Sequence, residues 1–191
     1  AGRVSGDSTA AYAWAYCQAA EAIGDCQPPP RALWLRALLL ERERISNHLG
    51  DLGYLGNDVA LAFGLSQFMR LKEDWCRLNA RRFGHRLLMD RIIPGGVATD
   101  LDADGALEII EQTYALEREL RVLKNIYDEH AGLQDRFLTT GRIPPELASR
   151  LGLIGLAGRA SAQHWDVRCN HPCTPYDRLT PKISIERKSV V

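Results

Sequence analysis

A histidine and two aspartates on one predicted helix are the first candidates for chemistry in this sequence. At about 100° per residue, His48 and Asp51 are near neighbours, and Asp58 lies two turns beyond Asp51 on the same helix face. A histidine aligned with carboxylates can form a proton relay or meet the polar head group of a ligand. The competing interpretation is a solvated helix face that carries an ordinary i,i+3 His–Asp pair.

Two further sets of polar residues allow either a structural or a functional interpretation. Arg42 lies within an apolar stripe of the same helix, where a buried guanidinium needs a carboxylate or several carbonyl partners. The next predicted helix is basic, and its charged face could dock an acidic partner or simply face solvent. Its cations are Arg70, Lys72, Arg77, Arg81, Arg82, Arg86 and Arg91.

The remaining motifs give little support for a metal or nucleotide site. Cys169, His171 and Cys173 place three donors within five residues, which is an incomplete zinc set with no second half. Gly95 and Gly96 could let a ligand approach the backbone closely, but they lack the strand–glycine–helix context of a phosphate-binding loop. We therefore predict that this chain binds no metal.

Apolar residues recur at helical spacing through nearly the whole sequence, so the candidate polar residues are predicted to lie on helices. The first helix is predicted over about Ser8–Ile23, and the second begins at Arg31 after a proline run and ends near Ala62 or Gly64. We expect the second helix to be the central, most buried element because it carries a long apolar stripe. This stripe consists of Leu35, Leu38, Ile45, Leu49 and Leu52.

The elements after the second helix become shorter and less regular. A third helix is predicted over about Ser66–Ile92, and Asp102 or Asp104 could cap a fourth. Another helical turn is predicted to start at Pro144, and residues 152–158 are predicted to form a small-residue apolar loop. No strand pattern of convincing length is present.

Composition favours a single domain without a strong overall charge. A chain of 191 residues is enough for one core, predicted over residues 1–180 with a tail at 181–191. Basic and acidic residues number 24 each, so no global field attracts nucleic acid or anionic lipid. No apolar run approaches the roughly 20 residues that span a bilayer, and no signal-peptide pattern occurs. Five irregularly spaced cysteines fit a reducing cytoplasm.

The segment from Arg3 to Ser8 resembles a metal-binding motif in which both metal ligands are replaced. It has the form Arg-x-Ser-Gly-x-Ser, whereas the large subunits of [NiFe]-hydrogenases use Arg-x-Cys-Gly-x-Cys to supply two thiolates to nickel. The cysteine positions here are Ser5 and Ser8, and a neutral hydroxyl is a poor ligand for a soft metal centre. The carboxy-terminal Cys-x-x-Cys of true hydrogenases is also absent. The segment is therefore similar to a hydrogenase-type scaffold that has lost its metal.

Further anchors follow in the order of the same family, from Arg3 to about Leu179. They include Pro30-Arg31-Ala32, Glu41-x-x-Arg44-Ile45-x-Asn47-His48-Leu49, Gly95-Gly96-Val97 and Trp165-Asp166-Val167-Arg168. The ordered series resembles the formate-hydrogenlyase large subunit and the 49 kDa-type subunit of respiratory complex I. This resemblance implies a mainly α fold, a helical bundle of that type. Because the family begins upstream of Ala1, we also expect a fragment, or a polypeptide much shorter than its relatives.

The resemblance also implies where a site would lie. In complex I relatives, the helix bearing His48 and Asp58 faces a quinone cavity between this subunit and an iron–sulfur partner. Asp58 matches an aspartate implicated in coupling quinone reduction to proton movement, and His48 is the second catalytic candidate. The residues expected to line the cavity are Ser5, Gly6, Asp7 and Asp51.

The leading hypothesis is a subunit of a membrane-associated redox complex, related to NADH:quinone oxidoreductase or to formate hydrogenlyase and energy-converting hydrogenases. The chain would bind no cofactor itself, because an iron–sulfur small subunit would supply electrons and a quinone would bind at the interface. We expect other hydrophilic-arm subunits and membrane subunits as partners, no nucleic acid, and a cytoplasmic position peripheral to the inner membrane.

The rival hypothesis is a non-catalytic structural or assembly module, in which side chains fill the old cavity. A third possibility, an active nickel enzyme, is disfavoured by the two serines. A deep polar cleft near Ser5, His48 and Asp58 would favour the first hypothesis, and a packed core there would favour the second.

Overall fold

Helices dominate the computed structural model, which describes residues 1–181. The chain divides into two units, Ala1–Asp135 and a second that begins at Arg136. The first unit contains the helices α1 (Thr9–Ile23), α2 (Pro30–Asp58), α3 (Ala62–Phe83) and α4 (Ala103–Glu129) and the strands β1 (Ile92–Ile93) and β2 (Gly96–Val97). The next helix, α5 (Ala131–Phe137), begins in the first unit and ends just after the boundary. The prediction of one domain over residues 1–180 stays a prediction, and the predicted tail from residue 182 onward lies outside the described residues.

The central position predicted for the second helix is confirmed, but its buried face differs from the predicted stripe. Within the first unit, α2 packs on α3, α1 and the β-hairpin. Leu38, Ile45 and Leu52 are only half-buried, so their assignment to the core is wrong. Seven of the twelve buried positions of α2 recur at alternating three- and four-residue spacing, namely Leu35, Leu39, Arg42, Ser46, Leu49, Gly53 and Gly56.

Glycines explain this difference because they allow α3 to approach α2 closely. A Cβ at Gly53 would lie 3.3 Å from the Cβ of Phe68. Tyr127 of α4 donates a hydrogen bond to the carbonyl of Leu52 at 2.8 Å, and a Cβ at Gly56 would lie 2.5 Å from its hydroxyl oxygen. A pattern of large apolar residues does not detect a face built from glycine and serine.

Residues in the left-handed backbone conformation end α2 and α3 earlier in the chain than the periodicity predicted. α2 ends at Asp58 because Ala60 has φ 62°, and the Leu61 amide then donates to the carbonyl of Gly56 at 2.8 Å. α3 ends at Phe83, well before the predicted Ile92, because Gly84 has φ 77°. The predicted cap of the fourth helix is confirmed at Asp102, whose carboxylate accepts from the amide of Gly105 at 2.7 Å.

The glycine-rich segment after α3 forms a two-stranded antiparallel hairpin, in which Ile92 pairs with Val97 and Ile93 with Gly96. A buried ion pair attaches this hairpin to α1 and α2. Arg36 donates to both carboxylate oxygens of Glu21, at 3.0 and 2.5 Å, and also to the carbonyls of Ile93 and Gly96.

The second unit consists of short helices, and Asp166 links two of them. They are α6 (Pro145–Arg150), α7 (Gly155–Ala160), α8 (Val167–Asn170) and a 3₁₀ turn at Tyr176–Arg178. The prediction of a loop over residues 152–158 is therefore wrong from Gly155 onward. Asp166 caps α8 and accepts from Arg168 and Arg159 at 2.9 and 3.1 Å. The bonds from Arg168, above all, lower the pKa of this buried carboxyl to about 2.

Candidate functional site

α2 presents the predicted His–Asp face outward. The Nδ1 atom of His48 lies 3.9 Å from the Oδ2 atom of Asp51, and the two side chains are 47% and 69% exposed. Asp58 is the last residue of the helix, is exposed, and forms no ion pair with any residue that the structure describes. With a rise of about 1.5 Å per residue, Asp58 lies about 15 Å along the axis from His48. The three residues share one exposed face of α2 but do not meet in one pocket.

The loop at Ser5–Ser8 is attached to α2 near its middle. The Asn47 side chain donates to the carbonyl of Asp7, and the Asp7 amide donates to the Ser5 hydroxyl at 3.3 Å. Ser5 and Ser8 are half-buried, whereas Gly6 and Asp7 are exposed. The loop thus holds two hydroxyls where the resembling motif holds thiolates, and this donor set does not fit a soft nickel centre.

Glu43 fixes the junction between this loop and α1. The Ser8 side chain makes no capping bond, and the first turn of α1 contains no acidic residue. Glu43 of α2 takes this role, because its carboxylate accepts from the amides of Ala10 and Ala11, at 2.5 and 3.0 Å, and from the Thr9 hydroxyl at 2.9 Å. A buried carboxylate at a helix N-terminus is stabilised by the unpaired amides and the helix dipole. Sequence reasoning missed Glu43, because serine is a favourable N-cap residue by type and only the structure shows that the Ser8 side chain makes no capping bond.

A small recess lies between the loop, α2 and α3. Its volume is about 20 Å³, which is room for one oxygen-sized atom. Neither His48 nor Asp58 is among its lining residues. The lining consists of Gly6, Asp7, Glu43, Ser46, Asn47, Lys72, Asn79, Arg86, Leu87 and Leu88. The structure therefore brings two predicted cavity residues, Gly6 and Asp7, to this recess and leaves the catalytic candidates on the helix face beyond it.

Arg42 is buried without a carboxylate partner among the described residues. Its guanidinium bonds to the side-chain oxygens of Asn79 and Gln112 and to the carbonyl of Trp75, and it lies 3.9 Å from the centre of the Trp75 ring. Amide oxygens and a carbonyl thus meet the requirement for oxygen acceptors at Nε and Nη2, whereas the buried Nη1 atom has no hydrogen-bond partner among the described residues. Burial lowers the pKa of this guanidinium to about 10.

The basic face predicted on the third helix is largely neutralised within the chain. Arg77 and Arg86 both pair with Glu73, at 2.8 and 2.7 Å, and Arg81 and Arg82 both pair with Glu108 at 2.6 Å. The two arginines beside it lower the pKa of Glu73 to about 2, with Arg86 contributing most. The ion pairs leave these arginines with their charge balanced, so this face does not present the bare positive charge that an acidic partner would need.

The cysteine–histidine cluster does not assemble a metal site in the described part of the chain. Cys169 and Cys173 are exposed free thiols, and His171 contacts the Trp165 ring, with 6.0 Å between ring centres. Among the described residues, no group of three or more His, Cys, Asp or Glu side chains is arranged to hold a metal ion.

Comparison with known proteins confirms the resemblance noted in the sequence. The family model of the 49 kDa subunit of respiratory-chain NADH dehydrogenase matches residues 58–190. Formate hydrogenlyase subunit 5 of Escherichia coli (strain K12) is 29% identical over 185 residues, covering 97% of this chain and 32% of that protein. The carbon monoxide-induced hydrogenase of Rhodospirillum rubrum is 32% identical over 165 residues, covering 86% of this chain and 46% of that protein.

Two further matches connect the chain with respiratory complexes. A subunit of the NADH-quinone oxidoreductase of Campylobacter curvus (strain 525.92) is 28% identical over 177 residues, covering 93% of this chain and 43% of that protein. A chain in the structure of the membrane-bound sulfane sulfur reductase, an archaeal respiratory membrane complex, superposes with a TM-score of 0.81 at 25% identity. That match covers 86% of this chain and 44% of the other, and it confirms the mainly α fold of this type.

The chain spans less than half the length of each of these relatives. The family model nevertheless covers well over half of the chain itself, and it includes Asp58 at its first matched position. The chain therefore belongs to the family of the 49 kDa subunit of respiratory-chain NADH dehydrogenase.

Proposed function

We propose that this chain is a subunit of a membrane-associated redox complex and shapes a quinone-type cavity beside an iron–sulfur partner subunit. The complex would be an NADH:quinone oxidoreductase, or a relative of formate hydrogenlyase and energy-converting hydrogenases. The observation that carries this proposal is the exposed His48–Asp51–Asp58 face of α2 in a chain of this family. An exposed carboxylate without an ion-pair partner in the described chain is available to a partner subunit and its substrate.

The division of labour within this complex follows from the chemistry of quinone reduction. Conversion of a quinone to a quinol takes up two electrons and two protons. The partner's iron–sulfur cluster supplies the electrons in this proposal, because the cysteines of the described chain form no metal-binding group. Asp58 and His48 form the proton route, since a carboxylate and an imidazole can both accept and release a proton. The quinone-type cavity is lined in this proposal by Ser5, Gly6, Asp7 and Asp51.

We also propose a peripheral position on the cytoplasmic side of the inner membrane. No helix among the described residues combines the length and the apolar character needed to cross a bilayer. Other hydrophilic-arm subunits would contact the chain there, together with the membrane subunits of the complex. No nucleic acid takes part in this function.

The decisive experiment replaces Asp58 by asparagine and measures electron-transfer turnover of the assembled complex. Asp58→Asn keeps the shape and most hydrogen-bonding capacity of the side chain but cannot exchange a proton. We expect turnover to fall at least about tenfold at equal subunit content, since a positioned proton-transfer group typically contributes 10²–10⁴-fold. Asp128→Asn is the matched control, because Asp128 is an exposed acid near the end of α4 that pairs with Lys124.

One observation favours the rival assembly-module function. The recess beside the loop holds only about 20 Å³ and does not extend to His48 or Asp58. If the chain is a non-catalytic module, Asp58→Asn will leave both turnover and assembly at the wild-type level. That result would reject the proton-route proposal and favour the module.

A further inference from the structure

Lys72 lies on α3, a helix whose arginines all form ion pairs. Lys72 itself has no ion-pair partner among the described residues. The arginines of α3 form ion pairs with acidic side chains of α3 or α4. The ammonium of Lys72 forms no such pair in that part of the chain, although the side chain is half-buried and lines the recess. Its three N–H donors are therefore available to a ligand.

Gly50 determines where this ammonium lies. A Cβ at Gly50 would be 2.8 Å from Nζ and 3.5 Å from Cδ of Lys72, so the lysine crosses α2 at a level where no side chain intervenes. Glycine inside a helix costs roughly 0.5–1 kcal/mol relative to alanine. The close approach of Lys72 gives a physical reason for glycine at this position.

Apart from the exposed Asp7 carboxylate, the other charged and amide side chains around the recess are already bonded within the described chain. Glu43 uses both carboxylate oxygens on the first turn of α1. Arg86 donates to both oxygens of Glu73, at 2.7 and 2.8 Å, and the Asn79 amide is bonded at both its oxygen and its nitrogen. Lys72 is thus the lining cation whose donors remain open among the described residues.

We propose that Lys72, positioned by Gly50, forms a binding site for one negatively polarised oxygen atom beside the Ser5–Asp7 loop. The recess admits a single oxygen-sized atom, which a quinone head group or a small inorganic oxyanion can supply. A hydrogen bond from an ammonium to such an oxygen is charge-assisted and about twice as strong as a neutral one. The quinone form of this proposal rests on the proposed function, because that function supplies the ligand.

The test uses the purified native complex with two probes, a short-chain benzoquinone as substrate and sulfate as a competing anion. Lys72→Met removes the charge, whereas Gly50→Ala keeps the lysine but displaces its ammonium. We expect Lys72→Met to raise the KM for the quinone at least about tenfold with kcat nearly unchanged, because an uncommitted charged donor contributes mainly to binding. Gly50→Ala should raise the same KM severalfold, and Lys72→Arg should retain part of the affinity.

Lys124→Met is the matched control, because Lys124 is an exposed lysine that pairs with Asp128 on α4, away from the recess. This variant should leave the KM for the quinone and the inhibition by sulfate unchanged. Asp7→Asn gives an independent check, since removing the exposed carboxylate beside the recess should tighten sulfate binding by lowering repulsion.

The outcomes separate the two sources of the oxygen and the two proposals. A higher KM for the quinone in Lys72→Met supports the quinone form. An unchanged KM with at least tenfold weaker sulfate inhibition supports the oxyanion form. If Lys72→Met changes neither the KM for the quinone nor the inhibition by sulfate, the proposed site is overturned. If Asp58→Asn still depresses turnover in that case, only the Lys72 site has failed and the proposed function stands. The sulfate measurement remains valid even when Asp58→Asn has no effect.

Discussion

At the scale of single residues, buried charges determine the structure around the middle of the chain. Glu21 is 7% exposed and Arg36 is fully buried, yet together they hold the Ile92–Val97 hairpin through hydrogen bonds to three of its backbone groups. The bond from Arg36, above all, holds the pKa of Glu21 below its usual range. The glycines of the hairpin, considered in the sequence as a ligand approach, contact this ion pair instead: Gly95 donates to Glu21 at 2.7 Å.

The pair makes a direct prediction about stability. Glu21→Gln should lower the free energy of unfolding by about 3–5 kcal/mol at neutral pH, because it leaves the Arg36 charge buried without its carboxylate. Glu117→Gln, which breaks an exposed pair with Arg121, should cost no more than about 1 kcal/mol. Urea denaturation followed by circular dichroism measures both changes. Equal losses in the two variants would contradict the structural role given to Glu21.

The Glu21 carboxyl also determines how the free energy of unfolding changes with pH. Because the folded-state pKa of Glu21 is lowered, its contribution is fully present above its unfolded-state pKa of about 4.3. Stability should then decrease as the pH falls through the lower, folded-state value. Glu21→Gln should show a shallower loss of stability below about pH 4 than the wild-type chain, since glutamine does not titrate there.

At the scale of secondary structure, periodicity predicted which helices exist better than where they end. The first helix and the proline start of the second are confirmed within one residue, because capping and breaking signals are local. The ends of α2 and α3 depend on left-handed residues at Ala60 and Gly84. An alanine in that conformation carries no local signal, since tertiary contacts impose it.

The corrected buried face of α2 gives the next prediction. Leu39 is fully buried, so Leu39→Ala should destabilise the chain by about 2–5 kcal/mol through lost contacts and the cavity left behind. Leu38→Ala, one position away and half-buried, should cost less than half as much. Denaturant midpoints of the two variants provide the comparison. A larger loss for Leu38→Ala would restore the stripe inferred from the sequence.

At the scale of the whole molecule, ordered motifs identified the family, whereas the recess required the structure. Short motifs keep their order along a chain, so the resemblance from Arg3 to about Leu179 could be found without coordinates. Lys72 and Glu43 owe their roles to residues many positions away in the sequence. Their charges look like ordinary helix surface until α1, α2 and α3 are packed together.

The final prediction concerns the metal content of the native protein. Ser5 and Ser8 offer neutral hydroxyls at the positions of two thiolates, and in the described chain no other group of donors is placed to hold a metal. We therefore expect far less than one nickel or iron per chain when the protein is isolated from metal-replete cells. Elemental analysis by mass spectrometry, normalised to quantified chain, measures this ratio.

The double variant Ser5→Cys/Ser8→Cys provides the comparison for that measurement. Thiolates bind soft and borderline metals much more strongly than hydroxyls do, so this variant should retain more nickel than the wild-type chain under identical isolation. The half-buried position of both serines allows the exchange without a large change in packing, because serine and cysteine differ by one atom. Close to one nickel in the unaltered chain would show that other residues hold the metal. The inference that this scaffold has lost its metal would then be wrong.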